Sequence, residues 1–335
     1  MKKIIVMPDA SSAGLFKALV ANKNNTTVSS KYDKGSMVFV IFEPDLIYEP
    51  LVNEEANELF FIRKKELRIE KPETFKTLKV FDHDEKNITD FLSISHAISN
   101  DIDIDIWFDR SSGSQATLLF LLNAINSTPN YPLDSLNIFY FDGRIAGEEL
   151  NDFDDLKVTL ISNKSDLILA SRKLWGWLIS DQLDKAYDFY SRHCRSEGWF
   201  SNLLEAIFDN LPRADRGLDK NEIIILELIK KLGKTTYQEI ISEYYLYASH
   251  PPTWILIPSY IQNLKDLSLI QYGVNDLNTN FKVLVEEQVK SNKNDYESFV
   301  IEYVADEAVP ANRIRYGKEV TWVWDEEGGK VKRFF

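Results

Sequence analysis

The sequence predicts an α/β protein in which a Rossmann-like, mostly parallel sheet domain precedes a helical, winged-helix-like domain. Three observations carry this. Over the first 161 residues, short apolar runs alternate with helix-length segments, the pattern of parallel strands with helices laid on both faces. Polar turns rich in Asp and Ser stand directly behind several of those runs, where a strand would hand over to a helix. After residue 220 the order changes to three helical segments followed by paired apolar runs, as in a winged helix.

Lys2 to Met7 is short and apolar enough for a buried strand, and Ser12 to Ala21 sets Leu15, Ala18 and Leu19 on one face of a helix. Met37 to Phe42 is the next strand, whereas residues 43 to 75 are mixed and charged without a clean period. Asp84 to Ser99 suits a helix, Ile104 to Phe108 a strand, Gln115 to Asn126 a helix and Leu136 to Phe141 a strand, with Val158 to Ile161 closing the sheet. Ser165 to Asp181 opens a long, aromatic-rich helical stretch. Asn221 to Leu232, Thr236 to Tyr245 and Pro258 to Leu267 are the helices of the second domain, and "IQYGVNDLNTNFKVLV" follows as a hairpin around Gly273 and Asn275. "VTWVWDEEGGKVKRFF" is another hairpin, turning at Gly328 and Gly329. The expected domains are 1–162 (Rossmann-like), 163–216 (helical connector), 217–285 (winged-helix-like) and 286–335 (C-terminal extension).

A chain of 335 residues is long for one compact unit and suggests two or three. Hydrophobic residues make up 44% and charged residues 27%, a globular composition that supplies a sizeable core. No apolar run nears the roughly 18 to 20 residues that cross a bilayer, and "MKKIIVMPD" meets an Asp before a signal-length core develops. The expected location is therefore the cytoplasm, with no membrane partner. The single cysteine, Cys194, excludes an internal disulfide and a multi-cysteine metal site.

With 39 Lys and Arg against 52 Asp and Glu, the net charge of −13 repels phosphate backbones, so nucleic acid would need a local basic patch. Residues 217–285 do not supply one, because six lysines there face seven acids. The helix in the recognition position, "PSYIQNLKDL", offers one Lys and one Asp. A packing or protein-binding role fits that surface better than DNA recognition.

The candidate site comes from a repeated pattern. "PDASSAG" at 8–14 and "FDRSSGS" at 108–114 each place Asp, one residue and Ser-Ser between a strand and a helix. In a doubly wound sheet, ligands sit outside the carboxyl ends of the strands, where helix N-termini present free N–H groups. Three strand ends carry suitable chemistry: Asp9 with Ser11 and Ser12, Asp109 with Arg110, Ser111 and Ser112, and Asp142 with Gly143 and Arg144. On adjacent strands, these hydroxyls and amides would cradle a phosphate, with Arg110 or Arg144 supplying charge and an Asp holding a ribose or a divalent ion. Ser and Asp are equally the favoured N-caps, which satisfy helix amides without any ligand. Neither G-x-G-x-x-G nor G-x-x-x-x-G-K-S/T occurs, so no standard dinucleotide or P-loop site is assigned, and no cofactor is named.

"DIDIDIW" at 101–107 alternates Asp101, Asp103 and Asp105 with isoleucines and reads as a strand whose acidic side faces water, in preference to a row of metal ligands. "DHDE" at 82–85 reads as a solvated helix start. His83, His96, His193 and His250 share no metal-ligand spacing, so no metal site is assigned. Trp175, Trp177, Tyr187, Phe189, Tyr190, Trp199 and Phe200 are expected in an interdomain core, with a homodimer seam as the alternative.

The opening strand with "ASSAGLFKAL", then "IDIWFDRSSGSQATLLFLL", "LPRADRGLDKNEIIILELI" and "TWVWDEE" make the chain resemble a bacterial family of uncharacterised proteins labelled domain of unknown function 1835. "EPDLIYEPLVNEEANELF" at 43–60 departs from the short Gly-Pro turn of that family. The resemblance implies a Rossmann-like N-terminal part and a winged-helix-like C-terminal part, and no reaction. The functional expectation is a protein whose first domain binds a small anionic ligand or nucleotide and whose second packs against or recruits a partner. A Mg²⁺-dependent phosphoester hydrolase or nucleotidyl enzyme using Asp9, Asp109 and Asp142 with Arg110 is the alternative. A transcriptional regulator, resting on helix order alone, is the third.

Overall fold

The structure, a computed structural model, describes residues 3–21, 37–41, 94, 97–98, 100, 102–126, 131–142, 158–194, 199–248, 257–273, 300–304 and 322–333. These fall into two compact units, one up to Leu204 and one from Glu205 onward. The first is an α/β unit with a five-stranded sheet of β1 (Lys3–Met7), β2 (Met37–Ile41), β3 (Ile104–Phe108), β4 (Leu136–Phe141) and β5 (Val158–Leu160). Their spatial order is 2-1-3-4-5; β1 to β4 are parallel and β5 runs antiparallel to β4. Parallel neighbours need long crossovers, and α1 (Ala10–Ala21) and α2 (Ser112–Asn126) follow β1 and β3 for that reason. The chain steps outward from β1 to β2 on one side and from β3 to β4 on the other, so the strand order reverses between β1 and β3.

Alternation along the strands divides the core into two layers. α1 presses Ala13, Phe16 and Val20 onto a face that includes Ile5, Met7, Ile41 and Trp107. Phe16 meets Trp107 and Phe39 edge-on, with ring centroids 4.9 and 5.7 Å away. Ile4, Val6, Ile104, Ile106, Leu136 and Ile138 are buried on the opposite face, where a right-handed β3–α2–β4 crossover puts α2. α2 is buried without a break from Ser114 to Ile125, so it needs cover on its far side as well. α3 (Lys164–Ile179) provides it, with Trp175 edge-on to Phe120 at 5.7 Å.

This packing corrects two expectations. The first unit does not end at 162 but continues through α3, α4 (Leu183–Phe189) and a π-helical turn at Tyr190–Cys194 to Leu204. Trp175, expected in an interdomain core, is buried edge-on to Phe120 of the same unit, while Trp177, Tyr187, Phe189 and Tyr190 are half-buried. The helix expected at Asp84 to Ser99 falls almost wholly outside the described residues, and residues 43–75 and 82–85 entirely so. Among the described residues no helix is long and apolar enough to cross a membrane.

Asp105 is a third correction. It stands on β3 beneath the α1-covered face and is 1% exposed, not turned to water. Both carboxylate oxygens accept from Lys3 Nζ on β1, at 3.1 and 3.2 Å, and Oδ1 also accepts from Asn137 Nδ2 on β4 at 2.8 Å. One acid is thereby satisfied from the strands on either side of it.

The second unit starts with α5 (Ser201–Asp209), which begins at the end of the first, and continues through α6 (Lys220–Leu232), β6 (Thr235–Thr236), α7 (Tyr237–Tyr247), α8 (Ile257–Asp266), β7 (Ile270–Gly273) and β8 (Val300–Tyr303). Asp219 and Glu222 form a reciprocal capping box at the start of α6, as Thr236 and Glu239 do for α7. Ile225, Ile229, Ile240, Tyr244, Ile261 and Ile301 centre the core between helices and sheet. The three strands are antiparallel in the order 6-8-7. β7 starts where the sequence places a hairpin, but its partner is β8, so residues 300–303 belong to this sheet and not to a separate extension after 285; the second strand expected before 285 lies outside the described residues.

The terminal hairpin forms as expected, β9 (Trp322–Asp325) pairing with β10 (Lys330–Arg333) around a turn in which Gly329 takes φ +55°, a conformation that suits glycine. β9 docks on the segment before α6. Trp324 N–H donates to the Pro212 carbonyl at 3.0 Å, and Ala214 N–H donates to the Trp324 carbonyl at 2.9 Å. Buried Arg213 lies over the Trp324 ring, with its guanidinium 2.9 Å from Glu326 and 3.6 Å from Asp209.

Two stability predictions follow from these buried charges. Asp105→Ala, which strips Lys3 and Asn137 of their acceptor, should lower the unfolding free energy by about 2–4 kcal/mol in urea titrations, while the paired change Lys3→Met with Asp105→Leu should recover most of the loss. Arg213→Ala should cost a similar ~2–4 kcal/mol and expose residues 322–333 to protease in native-state digestion. Arg213→Lys should rescue little, because a point charge lacks the planar group that stacks on Trp324.

Candidate functional site

Parallel pairing of β1, β3 and β4 brings their carboxyl ends side by side. The register aligns Val6 with Ile106 and Phe108 with Tyr140, so the turns that begin at Asp9, Asp109 and Asp142 are neighbours along one edge of the sheet. Asp9, Ser11, Ser12, Asp109, Arg110, Ser111, Ser112 and Asp142 are all placed there; Arg144 lies outside the described residues.

The acids of the first two turns order the helix starts behind them, one as the cap itself and the other by holding the capping serine. Asp9 is the N-cap of α1: Oδ1 accepts from Ser12 N–H at 2.7 Å and Oδ2 from the Ser12 hydroxyl at 2.6 Å. In α2 the cap is Ser111, whose Oγ accepts from Ser114 N–H at 3.3 Å. Buried Asp109 orients that serine, since its Oδ1 accepts from the Ser111 N–H at 2.9 Å and hydroxyl at 2.6 Å. Asp109 N–H in turn donates to Ser114 Oγ at 2.8 Å, which closes the loop on itself. Capping satisfies the third amide of each helix. The first two, Ala10 and Ser11 in α1 and Ser112 and Gly113 in α2, are those that a helix start leaves for water or a ligand.

Arg110 and Asp142 form the outer part of the site. Arg110 Nε is 3.1 Å from Asp142 Oδ1, with the two side chains 62% and 61% exposed. Tyr140, at the end of β4, donates its hydroxyl to the same Oδ1 at 3.2 Å, and its ring lies 5.0 Å from that of Phe108. Burial pushes the Tyr140 phenol above the usual tyrosine range; the Asp142 carboxylate pushes the same way and Arg110 opposes it. The main chain of Arg110 is held separately, its carbonyl accepting from Asn202 Nδ2. One turn further on, buried Gln115 Oε1 accepts from Leu203 N–H at 2.9 Å.

Tyr140 and Asn202 carry no motif, and Ser114 and Gln115, though inside the quoted segment that follows β3, show no role there; the folded strand ends reveal all four. Among the described residues no three His, Cys, Asp or Glu side chains converge to hold a metal ion, so Asp9, Asp109 and Asp142 do not form such a group. What the arrangement offers is two sets of helix-start amides and one arginine on a shared edge, chemistry that suits an anion.

The raised Tyr140 value has a checkable sign. A proton held more tightly in the folded state supports folding below the ordinary tyrosine pKa of about 10, and that support is lost as pH rises through the folded value. In an alkaline titration followed by phenolate absorbance, the difference between wild type and Tyr140→Phe should isolate one late-ionising tyrosine. Asp142→Asn should move that tyrosine back toward the ordinary range.

No protein-family model matches this chain, and no curated protein matches it.

Proposed function

We propose that the first unit is a Rossmann-like domain that binds a small anionic ligand of the phosphate or nucleotide class at the carboxyl edge of β1, β3 and β4. The observation that carries the reading is the strand order. The strand order reverses between β1 and β3 at the edge where α1 and α2 both start, and it is outside such a reversal that doubly wound sheets bind their ligands. The roles differ from a simple cradle of acids and serines: Asp9 and Asp109 position the helix starts, and the free amides with Arg110 meet the ligand. A Cβ at Gly113, in the first turn of α2, would meet nothing within 4 Å, so alanine fits there in the ligand-free protein, where it should gain about 0.5–1 kcal/mol over glycine.

The second unit completes the proposal as a winged-helix-like interaction module. Its helix, strand, two helices and two further strands, with β6 beside β8, support that description, and the resemblance to the family labelled domain of unknown function 1835, which rests on the sequence segments, points the same way. The outer side of α8 carries Gln262 hydrogen-bonded to Asp266 and a single lysine, Lys265, which argues for a protein partner and against a phosphate backbone. Tyr245, Leu246 and Tyr247 at the end of α7 expose apolar surface of the kind protein partners cover.

The test is a thermal-shift series with inorganic phosphate, mononucleotides and dinucleotides on wild type and Arg110→Ala. A ligand at about a hundredfold its dissociation constant should add roughly 2.7 kcal/mol and raise the midpoint by several degrees. The shift should shrink in Arg110→Ala. In Gly113→Ala the ligand-free midpoint should rise while the ligand-induced shift falls. No shift with any of these compounds, or an equal shift in Arg110→Ala, would sink the reading.

A further inference from the structure

Within that anion-binding reading, on which this step rests, Asp142 has a role opposite to the one its position suggests. A carboxylate beside Arg110 could help hold a ligand through a ribose hydroxyl. Its geometry fits a different task. Asp142 Oδ1 lies 3.1 Å from Arg110 Nε and accepts the Tyr140 hydroxyl at 3.2 Å, so the acid already sits where an incoming anion would meet the guanidinium. Both side chains are more than half exposed, and an ion pair so wet is weakly held and readily exchanged.

We propose that Asp142 is a built-in competitor that occupies Arg110 while the site is empty and gives it up to the ligand's phosphate group. Two neighbours make the exchange feasible. Asn202 fixes the Arg110 main chain through its carbonyl, so the guanidinium can turn without moving the loop. Tyr140 keeps its hydroxyl on Asp142, so the displaced carboxylate retains a donor. The exchange also filters ligands. Trading one singly charged anion for another on Arg110 gains almost nothing, so chloride or acetate touching the guanidinium alone is not retained. A phosphate that reaches Arg110 and the free amides of Ser112 and Gly113 together makes contacts that Asp142 does not, and it wins.

The experiment is calorimetric titration of the full chain with inorganic phosphate and with acetate, on wild type, Asp142→Asn, Arg110→Ala and the double variant. Asp142→Asn removes the charge but leaves an oxygen for Tyr140. It should tighten phosphate binding about three- to tenfold, the size of one screened charge at close range, and the gain should fade at high salt. Acetate binding should become measurable only in Asp142→Asn. Arg110→Ala should abolish the gain, so that the double variant equals Arg110→Ala. With wild type binding normally, unchanged phosphate binding in Asp142→Asn would overturn the competitor role, and weaker binding would overturn it and make Asp142 a ligand contact; either result leaves the site intact. Absence of phosphate binding in every variant, each shown folded by circular dichroism, would remove the anion site and the competitor with it.

Discussion

A carboxylate shut under a helix-covered sheet face must find donors before the strands around it can close, and Asp105 finds them on both neighbours. Lys3 comes from β1 and Asn137 from β4, so these two donors reach one buried charge together when three parallel strands stand side by side in one register. A slip of one residue would turn Asp105 to the other face, away from both partners, and leave an unpaired charge in the core. The consequence appears at the far end of the strands. Asp9, Asp109 and Asp142 follow β1, β3 and β4 directly, so the register set beneath the sheet decides which turns meet on its edge.

At that edge capping and binding divide the same few residues between them. A helix start has more amides than one cap can satisfy. Asp9 and Ser111 take the third amide in each helix, and Asp109 holds Ser111 from behind. Among the described residues, the caps do not take up the first two amides of each helix, and Arg110 lies in the turn before α2. Capping and the proposed anion binding are thus compatible readings of D-x-S-S: the acid orders the turn, and a helix start so capped still has amides to offer.

Strand cores were legible because apolar runs of five or six residues bounded by polar turns have few alternatives; Ile104–Phe108 and Leu136–Phe141 match their expected limits. α1 and α2 start two and three residues earlier than apolar periodicity suggests, because the first turn is built from Ser, Gly and Ala and carries no apolar signal. The burial of Asp105 was hidden by a sound rule wrongly placed. Alternating Asp and Ile implies one wet face in an antiparallel sheet, but in this sheet helices cover both faces and the acid is matched by residues more than 30 and 100 positions away. The direction of β5 could not be read from three residues. Tyr140 was equally invisible, since a tyrosine on a strand announces a core or a surface but not which acid lies beyond its hydroxyl.

The second unit shows the same limit from the other side. "LPRADRG" and "TWVWDEE" stand out as segments but give no hint of one another, since nothing in spacing or period links Arg213 to a tryptophan more than 100 positions on. Physical chemistry supplies the link afterwards. A buried guanidinium needs an aromatic face and carboxylates, and Trp324, Glu326 and Asp209 provide them. Asp105 and Arg213 therefore do comparable work in separate units: each is a charge that burial would make costly alone, and each ties together segments distant in the chain. The Arg110–Asp142 pair at the proposed anion site differs in kind, because both side chains are left exposed. A pair that holds a fold is sealed, whereas the pair proposed to exchange partners stays in water, where breaking it costs little.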